Sequence, residues 1–156
     1  MNQPIHSLAL PPETDNFLPE PFSTRLGKSE WRALSDHFGL SHFGVSLEVL
    51  SPDAQSALRH WHTKSDEFVY ILEGELTLIT DGSEKVLGPG MCAGFKANDE
   101  NGHHLVNKSG KPATFIVVGS RTQNDKVHYP DDDIQWLADK SGKPKAAHKD
   151  GSLYPS

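Results

Sequence analysis

The feature that most constrains the fold is a series of short segments in which apolar and polar residues alternate. The first segment starts at Phe43, places Val45, Leu47 and Val49 on one side of a strand, and ends at Pro52. Similar segments follow at roughly eight-to-twelve-residue spacing, which is typical of a β-sandwich or barrel and not of a βαβ fold. They cover residues 68–73, 76–80, 86–87, 91–95, 103–107 and 114–118. The sequence therefore predicts an all-β protein.

Composition and charge exclude several classes of function. The formal net charge is −6, and the lysines and arginines are scattered, so we expect no nucleic-acid partner. Cys92 is the only cysteine, which excludes an internal disulfide, and we expect it to be a small buried apolar residue. The first residues do not resemble a secretory signal, and no apolar stretch is long enough to span a bilayer. We therefore expect a cytoplasmic protein without a membrane partner.

The segments that flank the alternating region differ from it in composition. Five prolines within residues 1–22 favour an extended arm, and Ser29 is a candidate cap for a short helix running from Glu30 to Phe38. After Arg121 the alternation gives way to a polar tail that contains enough aromatic residues to pack against the rest. The predicted organisation is one domain, with an arm at 1–42, a barrel at 43–121 and a tail at 122–156.

A group of histidine and glutamate residues forms a candidate metal site. His60 and His62 are one residue apart, so on an extended strand both imidazoles project from the same face. Glu67 begins the next strand and shares a face with Val69 and Ile71, an apolar setting in which a carboxylate is costly unless its charge is compensated. A metal ion would provide that compensation.

A fourth candidate ligand comes from later in the chain. His103 begins the segment 103–107, and alternation allows only one of His103 and His104 to point inward. Three imidazoles and one carboxylate suit Fe(II), Mn(II), Ni(II), Co(II) or Zn(II), and suit Ca²⁺ or Mg²⁺ poorly. The sequence predicts one such divalent ion per chain, bound by His60, His62, Glu67 and His103.

These residues resemble the first motif of the cupin superfamily. That motif has a glycine, five residues, His-x-His, three or four residues, a glutamate, six residues and a second glycine. This chain matches it with His60, His62, Glu67 and Gly74, while Ala54 stands at the position of the leading glycine. The resemblance implies a cupin jelly-roll barrel, similar to small single-domain cupins.

The second cupin motif is matched less closely. Gly90, His103 and Asn107 are present, but Lys96 replaces a proline and Asn98 replaces a glycine. Four residues, 99–102, also stand where the motif has two. We expect the longer loop to lie at the mouth of the barrel.

The resemblance implies a metal-dependent enzyme acting on a small organic metabolite, by oxygenation, decarboxylation, isomerisation or lyase chemistry. The alternative is a non-catalytic cupin that binds or senses a small ligand. Arg121 is a candidate for binding a substrate carboxylate, with an ordinary edge-strand arginine as the alternative. The residues expected to face the ligand are apolar: Val45, Leu47, Val69, Ile71 and Leu105. A homodimer is also expected, because an apolar stripe lies opposite the ligand face; it comprises Trp61, Phe68, Tyr70 and Leu72.

Overall fold

The computed structural model describes residues 3–156 and shows an all-β architecture. Two one-turn helices, α1 (Phe22–Arg25) and α2 (Leu34–His37), and a 3₁₀ turn at Ser7–Ala9 accompany the strands. The strands are β1 (Ser29–Ala33), β2 (Phe43–Leu50), β3 (Trp61–His62), β4 (Glu67–Glu73), β5 (Leu76–Thr80), β6 (Ser83–Leu87), β7 (Cys92–Phe95), β8 (His104–Val106), β9 (Ala113–Ser120), β10 (Val127–His128), β11 (Gln135–Ala138) and β12 (Pro144–Ala147). No helix in the described part of the chain is long and apolar enough to cross a membrane.

The main core lies between a five-stranded sheet, ordered β1-β2-β9-β4-β7, and a three-stranded sheet, ordered β6-β5-β8. Both sheets contribute side chains to one buried cluster. Its fully or nearly fully buried members include Leu50, Val69, Ile71, Leu76, Leu87, Leu105, Ala113 and Phe115. The predicted all-β jelly roll is confirmed.

Most of the predicted strands and turns are present. Asp81 and Gly82 form the two-residue connection between β5 and β6, in which Thr80 pairs with Ser83 and Gly82 adopts φ +64°. In β4 the buried residues Val69 and Ile71 alternate with exposed neighbours. Cys92 is exposed, so the prediction that it is buried was wrong.

The prediction of a helix from Glu30 to Phe38 was wrong for most of that segment. Residues 29–33 form β1, which pairs with β2 over its whole length, and only Leu34–His37 is helical. The arm adds to this edge, because Trp31 exchanges two backbone hydrogen bonds with Glu13. Tertiary pairing along β2 therefore overrides the local helical signal.

The inward face of β2 is also the opposite of the one predicted. Glu48 lies opposite Phe115 of β9, which in turn lies opposite Ile71 of β4, and directly paired residues project from the same face of a sheet. Because Phe115 and Ile71 are core residues, Glu48 faces inward, whereas Val45 and Leu47 face outward. The outer face is packed by α2, where Ser35 Oγ accepts a hydrogen bond from the Val45 N–H.

The tail adds strands and a second small core. β10 pairs with β3, and β11 pairs with β12. Ile134 of the tail is buried with Phe22, Leu26 and Leu58 in a separate apolar cluster. The tail is therefore packed against the arm and against the segment before β3, while the division of the domain at residues 42 and 121 stays a prediction.

Candidate metal centre

Four predicted ligands meet around one carboxylate oxygen. The Nε2 atoms of His60, His62 and His103 lie 3.1, 2.7 and 3.3 Å from Glu67 Oε1. His60 and His103 are held together by a backbone bridge in which each N–H donates to the other residue's carbonyl, at 3.2 and 2.9 Å. The turn between His62 and Glu67 returns the carboxylate beside the imidazoles, as expected, but the two strands do not form the predicted hairpin, because β3 pairs with β10 and β4 pairs with β7 and β9.

Hydrogen bonds on the far side of two rings fix their orientation. His60 Nδ1 lies 2.7 Å from the Leu58 carbonyl oxygen, which can only accept, so Nδ1 carries the proton. His62 Nδ1 lies 2.6 Å from Asp125 Oδ2. Each ring therefore turns its Nε2 toward Glu67, and in the neutral form this nitrogen keeps a free lone pair.

Asp125 is a functional candidate that sequence reasoning missed. It lies at the start of the tail, and its Oδ1 also accepts a hydrogen bond from the Lys64 N–H at 2.7 Å. A carboxylate behind a histidine ligand is a common arrangement in metal sites, because it sets both the tautomer and the ring angle. The one available signal was an acidic residue just before a short apolar segment, which is too common to be informative.

The cluster is strongly coupled electrostatically. Burial alone would raise the pKa of Glu67, but the imidazoles of His103, His60 and His62 hold it far below its usual range. Burial lowers the pKa of His62, yet Glu67 and Asp125 outweigh burial and raise the pKa to about 9. In His103 burial prevails and the pKa is lowered. A metal ion bound to His62 must therefore displace a proton.

The donor atoms fit a divalent transition metal. Ligand atoms of His60, His62 and Glu67 all lie within 4.8 Å of one another. Two donors at right angles on one ion are about 3 Å apart when each bond is about 2.1 Å, close to the observed spacings. His103 lies outside this three-residue group and must shift toward it to share the ion. Both of its ring nitrogens are buried and have no hydrogen-bond partner among residues 3–156, so Nε2 is free to bind.

Comparisons with known proteins identify the family of this chain. The cupin domain family matches residues 46–119. The crystal structure of a cupin-superfamily sugar phosphate isomerase from Silicibacter pomeroyi is 38% identical, with a TM-score of 0.89, over 99% of this chain and 98% of that one. This chain belongs to the cupin superfamily.

A second similar structure, a polyketide cyclase from Streptomyces resistomycificus, is 22% identical with a TM-score of 0.66, over 83% of this chain and 86% of that one. It supports the fold alone. No curated protein sequence matches this cupin significantly.

The departures from the second cupin motif are accommodated locally. Asn98, at the position of a glycine, adopts φ +66°, a left-handed conformation that asparagine tolerates better than most residues. Its N–H donates to the His62 carbonyl at 2.7 Å, and the Ala97 N–H donates to Asp66 Oδ1 at 2.7 Å. Contacts with the segment around β3 therefore hold the turn that proline would otherwise stiffen, and the Lys96 side chain is released to the surface.

Two further motif residues of this cupin are structural. Gly74 has φ +77°, and a Cβ there would lie 2.8 Å from the Pro112 carbonyl oxygen, so only glycine fits. Asn107 is fully buried, and its Nδ2 donates to the carbonyls of Leu50 and Lys111 at 2.9 and 2.8 Å. Both residues fix the strand ends near the core and do not contact the histidines.

Two cavities border Glu67 at the cluster. A cavity of about 260 Å³ is bordered by His62, Glu67 and His103, and its polar lining includes Thr80, Ser83, Lys85, Lys96, Asp99 and Asn101. A second cavity of about 190 Å³ is bordered by His60, Glu67, His103 and also Glu48. Neither lysine forms an ion pair within the described residues. The polar cavity and the histidine cluster are thus contiguous.

Arg121 lies elsewhere. Its guanidinium contacts Asp36 Oδ1 at 2.6 Å and the Leu40 carbonyl at 3.1 Å, and it borders neither of these two cavities. A role in binding a substrate stays a prediction.

Trp61 is partly buried and stacks on His128 of β10, with ring centroids 4.4 Å apart.

Proposed function

We propose that this cupin binds one Fe, Mn, Ni, Co or Zn ion per chain through His60, His62, Glu67 and His103, and isomerises a small sugar phosphate. The observation that carries the proposal is the convergence of three imidazole Nε2 atoms on one carboxylate oxygen beside a cavity with two lysines. Support for the reaction class comes from the 38% identical relative, a sugar phosphate isomerase whose chain matches this one almost end to end.

The polar cavity supports a phosphorylated substrate. Lys85 and Lys96 are exposed at its rim, and neither is neutralised by a carboxylate within residues 3–156. Two lysine ammonium groups provide point charges suited to a phosphate. A phosphate held there places the rest of a small sugar toward Glu67 and His103, deeper in the barrel.

The residues of the cluster have distinct roles in this proposal. His60, His62, Glu67 and His103 hold the ion, while Asp125 and the Leu58 carbonyl keep two of the rings oriented. A bound divalent ion polarises the substrate carbonyl and makes the adjacent C–H more acidic. Phe95 stacks on the His103 ring, with centroids 3.6 Å apart, and limits its movement.

Metal analysis of protein purified without chelator tests the first half of the proposal. We expect about one transition-metal ion per chain, and at least about tenfold weaker binding in Glu67→Gln, which removes the only anionic ligand. Glu100→Gln is the matched control, because Glu100 is exposed in the longer loop before His103. Equal loss of metal in both variants would mean that the loop supplies a ligand.

Activity assays test the second half of the proposal, the isomerisation of a sugar phosphate. Metal-loaded protein should interconvert aldose and ketose forms of at least one of glucose 6-phosphate, mannose 6-phosphate, ribose 5-phosphate and arabinose 5-phosphate. Lys85→Gln and Lys96→Gln should raise KM for the phosphorylated sugar, whereas Lys140→Gln, in the turn between β11 and β12, should not. Metal-dependent binding without turnover would favour a ligand-binding or sensing cupin.

A further inference from the structure

The interior of the barrel contains a carboxylate that belongs to neither the metal ligands nor the lysine cavity. Glu48 lies in the middle of β2 and faces inward between Trp31 of β1 and Phe115 of β9, its direct partners across the sheet. Its neighbours on the same face of β2 are Ser46 and Leu50, and its partner Phe115 belongs to the buried core. A glutamate at such a position is costly, so its retention calls for a function.

Glu48 opens onto the same space as the metal cluster. It borders the inner cavity of about 190 Å³ together with His60, Glu67 and His103. It also borders a larger cavity of about 400 Å³, lined by His60 and His62 and by aromatic residues of the arm and tail. No hydrogen bond or ion pair within residues 3–156 joins the Glu48 carboxylate to a cluster residue, so it is adjacent to the site without being held by it.

The position of Glu48 relative to Lys85 and Lys96 matches the shape of a sugar phosphate. Lys85 and Lys96 lie at the rim of the polar cavity, whereas Glu48 lies on the inner cavity, and Glu67, His103 and Phe95 border both. In an aldose or ketose phosphate, the phosphate is at the opposite end of the carbon chain from the carbonyl. With the phosphate at the rim, the carbonyl end reaches the cluster and the space beside Glu48.

We propose that Glu48 is the catalytic acid and base of this cupin, an inference that rests on the proposed isomerase function. The carboxylate takes the proton from the hydroxyl-bearing carbon beside the carbonyl, which leaves an enediolate and a neutral carboxylic acid. The acid then returns that proton to the former carbonyl carbon. A proton passes from the hydroxyl oxygen to the former carbonyl oxygen, so that atoms and charge balance.

The surroundings of Glu48 favour such an exchange of protons. Burial, reinforced by the charge of Glu67 and partly offset by Ser46, raises the pKa of Glu48 to about 7. A group with such a pKa can both accept and release a proton near neutral pH. The other titratable groups that border its two cavities are Asp15, His60, His62, Glu67, His103, His104 and Tyr129. A bound divalent cation would lower the pKa of Glu48, so the acidic limb of the pH profile is expected at or below about 7.

The test uses metal-loaded wild-type protein and the Glu48→Gln and Glu48→Asp variants on whichever of the four sugar phosphates the wild type converts. Glu48→Gln should lower kcat by at least about 100-fold, with metal content and KM little changed. The acidic limb should be absent from its residual activity, and in D₂O it should stop incorporating deuterium at the exchanging carbon. Glu48→Asp keeps the acid and should recover part of the rate.

Glu73→Gln is the control, because Glu73 is an exposed carboxylate at the end of β4. A Glu48→Gln variant that retains kcat within about threefold of wild type overturns the inference. Loss of activity together with loss of metal also overturns it, because Glu48 would then support the ion instead of transferring protons. If the wild type converts none of the four sugars, the proposed function fails first, and this inference fails with it.

Discussion

Replacing Glu48 with glutamine should stabilise the metal-free protein at high pH and much less at low pH. In the folded state the pKa of Glu48 is about 7, compared with 4.5 for an ordinary glutamate. Because the folded-state pKa is raised, the neutral acid is favoured on folding. The wild type therefore loses stability as the pH rises from the ordinary pKa to the folded-state pKa, and glutamine, which does not ionise, escapes this loss.

The magnitude follows from the size of the shift. About 2.5 pKa units, at 1.36 kcal/mol each, correspond to about 3 kcal/mol. Because the unfolded-state carboxylate is already partly ionised at pH 5, we expect the stability difference between Glu48→Gln and wild type to grow by about 2.5 kcal/mol between pH 5 and pH 8.5. For a chain of this size that corresponds to a rise of roughly 5–10 °C in relative melting temperature.

Urea unfolding of chelator-treated protein at both pH values measures this difference. Comparing the two pH values cancels any constant effect of the amide, and the exposed Glu73→Gln variant is the matched control for the substitution. Adding the divalent metal should shrink the gain at pH 8.5, because a nearby cation stabilises the ionised Glu48. A difference that stays constant within about 0.5 kcal/mol across this range would refute the reasoning.

Three further predictions concern the cluster and the surface. Replacing His60 and His62 together with alanine should reduce metal content from about one ion per chain to near zero by elemental analysis, since two of three nitrogen ligands are lost; retained metal would contradict the site. Asp125→Asn should weaken metal binding by roughly 10- to 100-fold in a titration, because asparagine has no negative charge and only one acceptor oxygen for the two donors, His62 Nδ1 and the Lys64 N–H. We also expect a homodimer in light scattering, weakened by Tyr70→Lys on the exposed face of β4; a monomer mass for the wild type at micromolar concentration would exclude it.

The metal cluster could be predicted from the sequence because its information is local. His60, His62 and Glu67 lie close together along the chain, and strand alternation alone places the two imidazoles on one face. His103 needed a long-range pairing, which the resemblance to cupins supplied. Asp125 could not be predicted, because it reaches His62 from 63 residues along the chain, through a tail with no recognisable pattern.

Alternation identified the strands, but it did not by itself show which face of a strand lies against the main core. In β4 the predicted inner residues Val69 and Ile71 are buried in that core. In β2 the more apolar face, with Val45, Leu47 and Val49, lies on the outside of the sheet, where α2 packs, so the usual rule that the apolar face is the inner one fails there. β1 was missed because its residues favour neither state strongly, and its pairing with β2 decides its structure.

The reversed orientation of β2 has a physical consequence. Val45 and Leu47 lie on the outer face of the sheet, where α2 packs, while the charged Glu48 lies inside. The cost of burying Glu48 is a cost in stability, and the pH-dependent gain expected for its glutamine variant measures that cost directly. The proposed role of Glu48 accounts for a destabilising acid beside the histidine cluster as an exchange of stability for proton transfer. Stability and turnover of Glu48→Gln should therefore change in opposite directions, which a purely structural role for Glu48 does not predict.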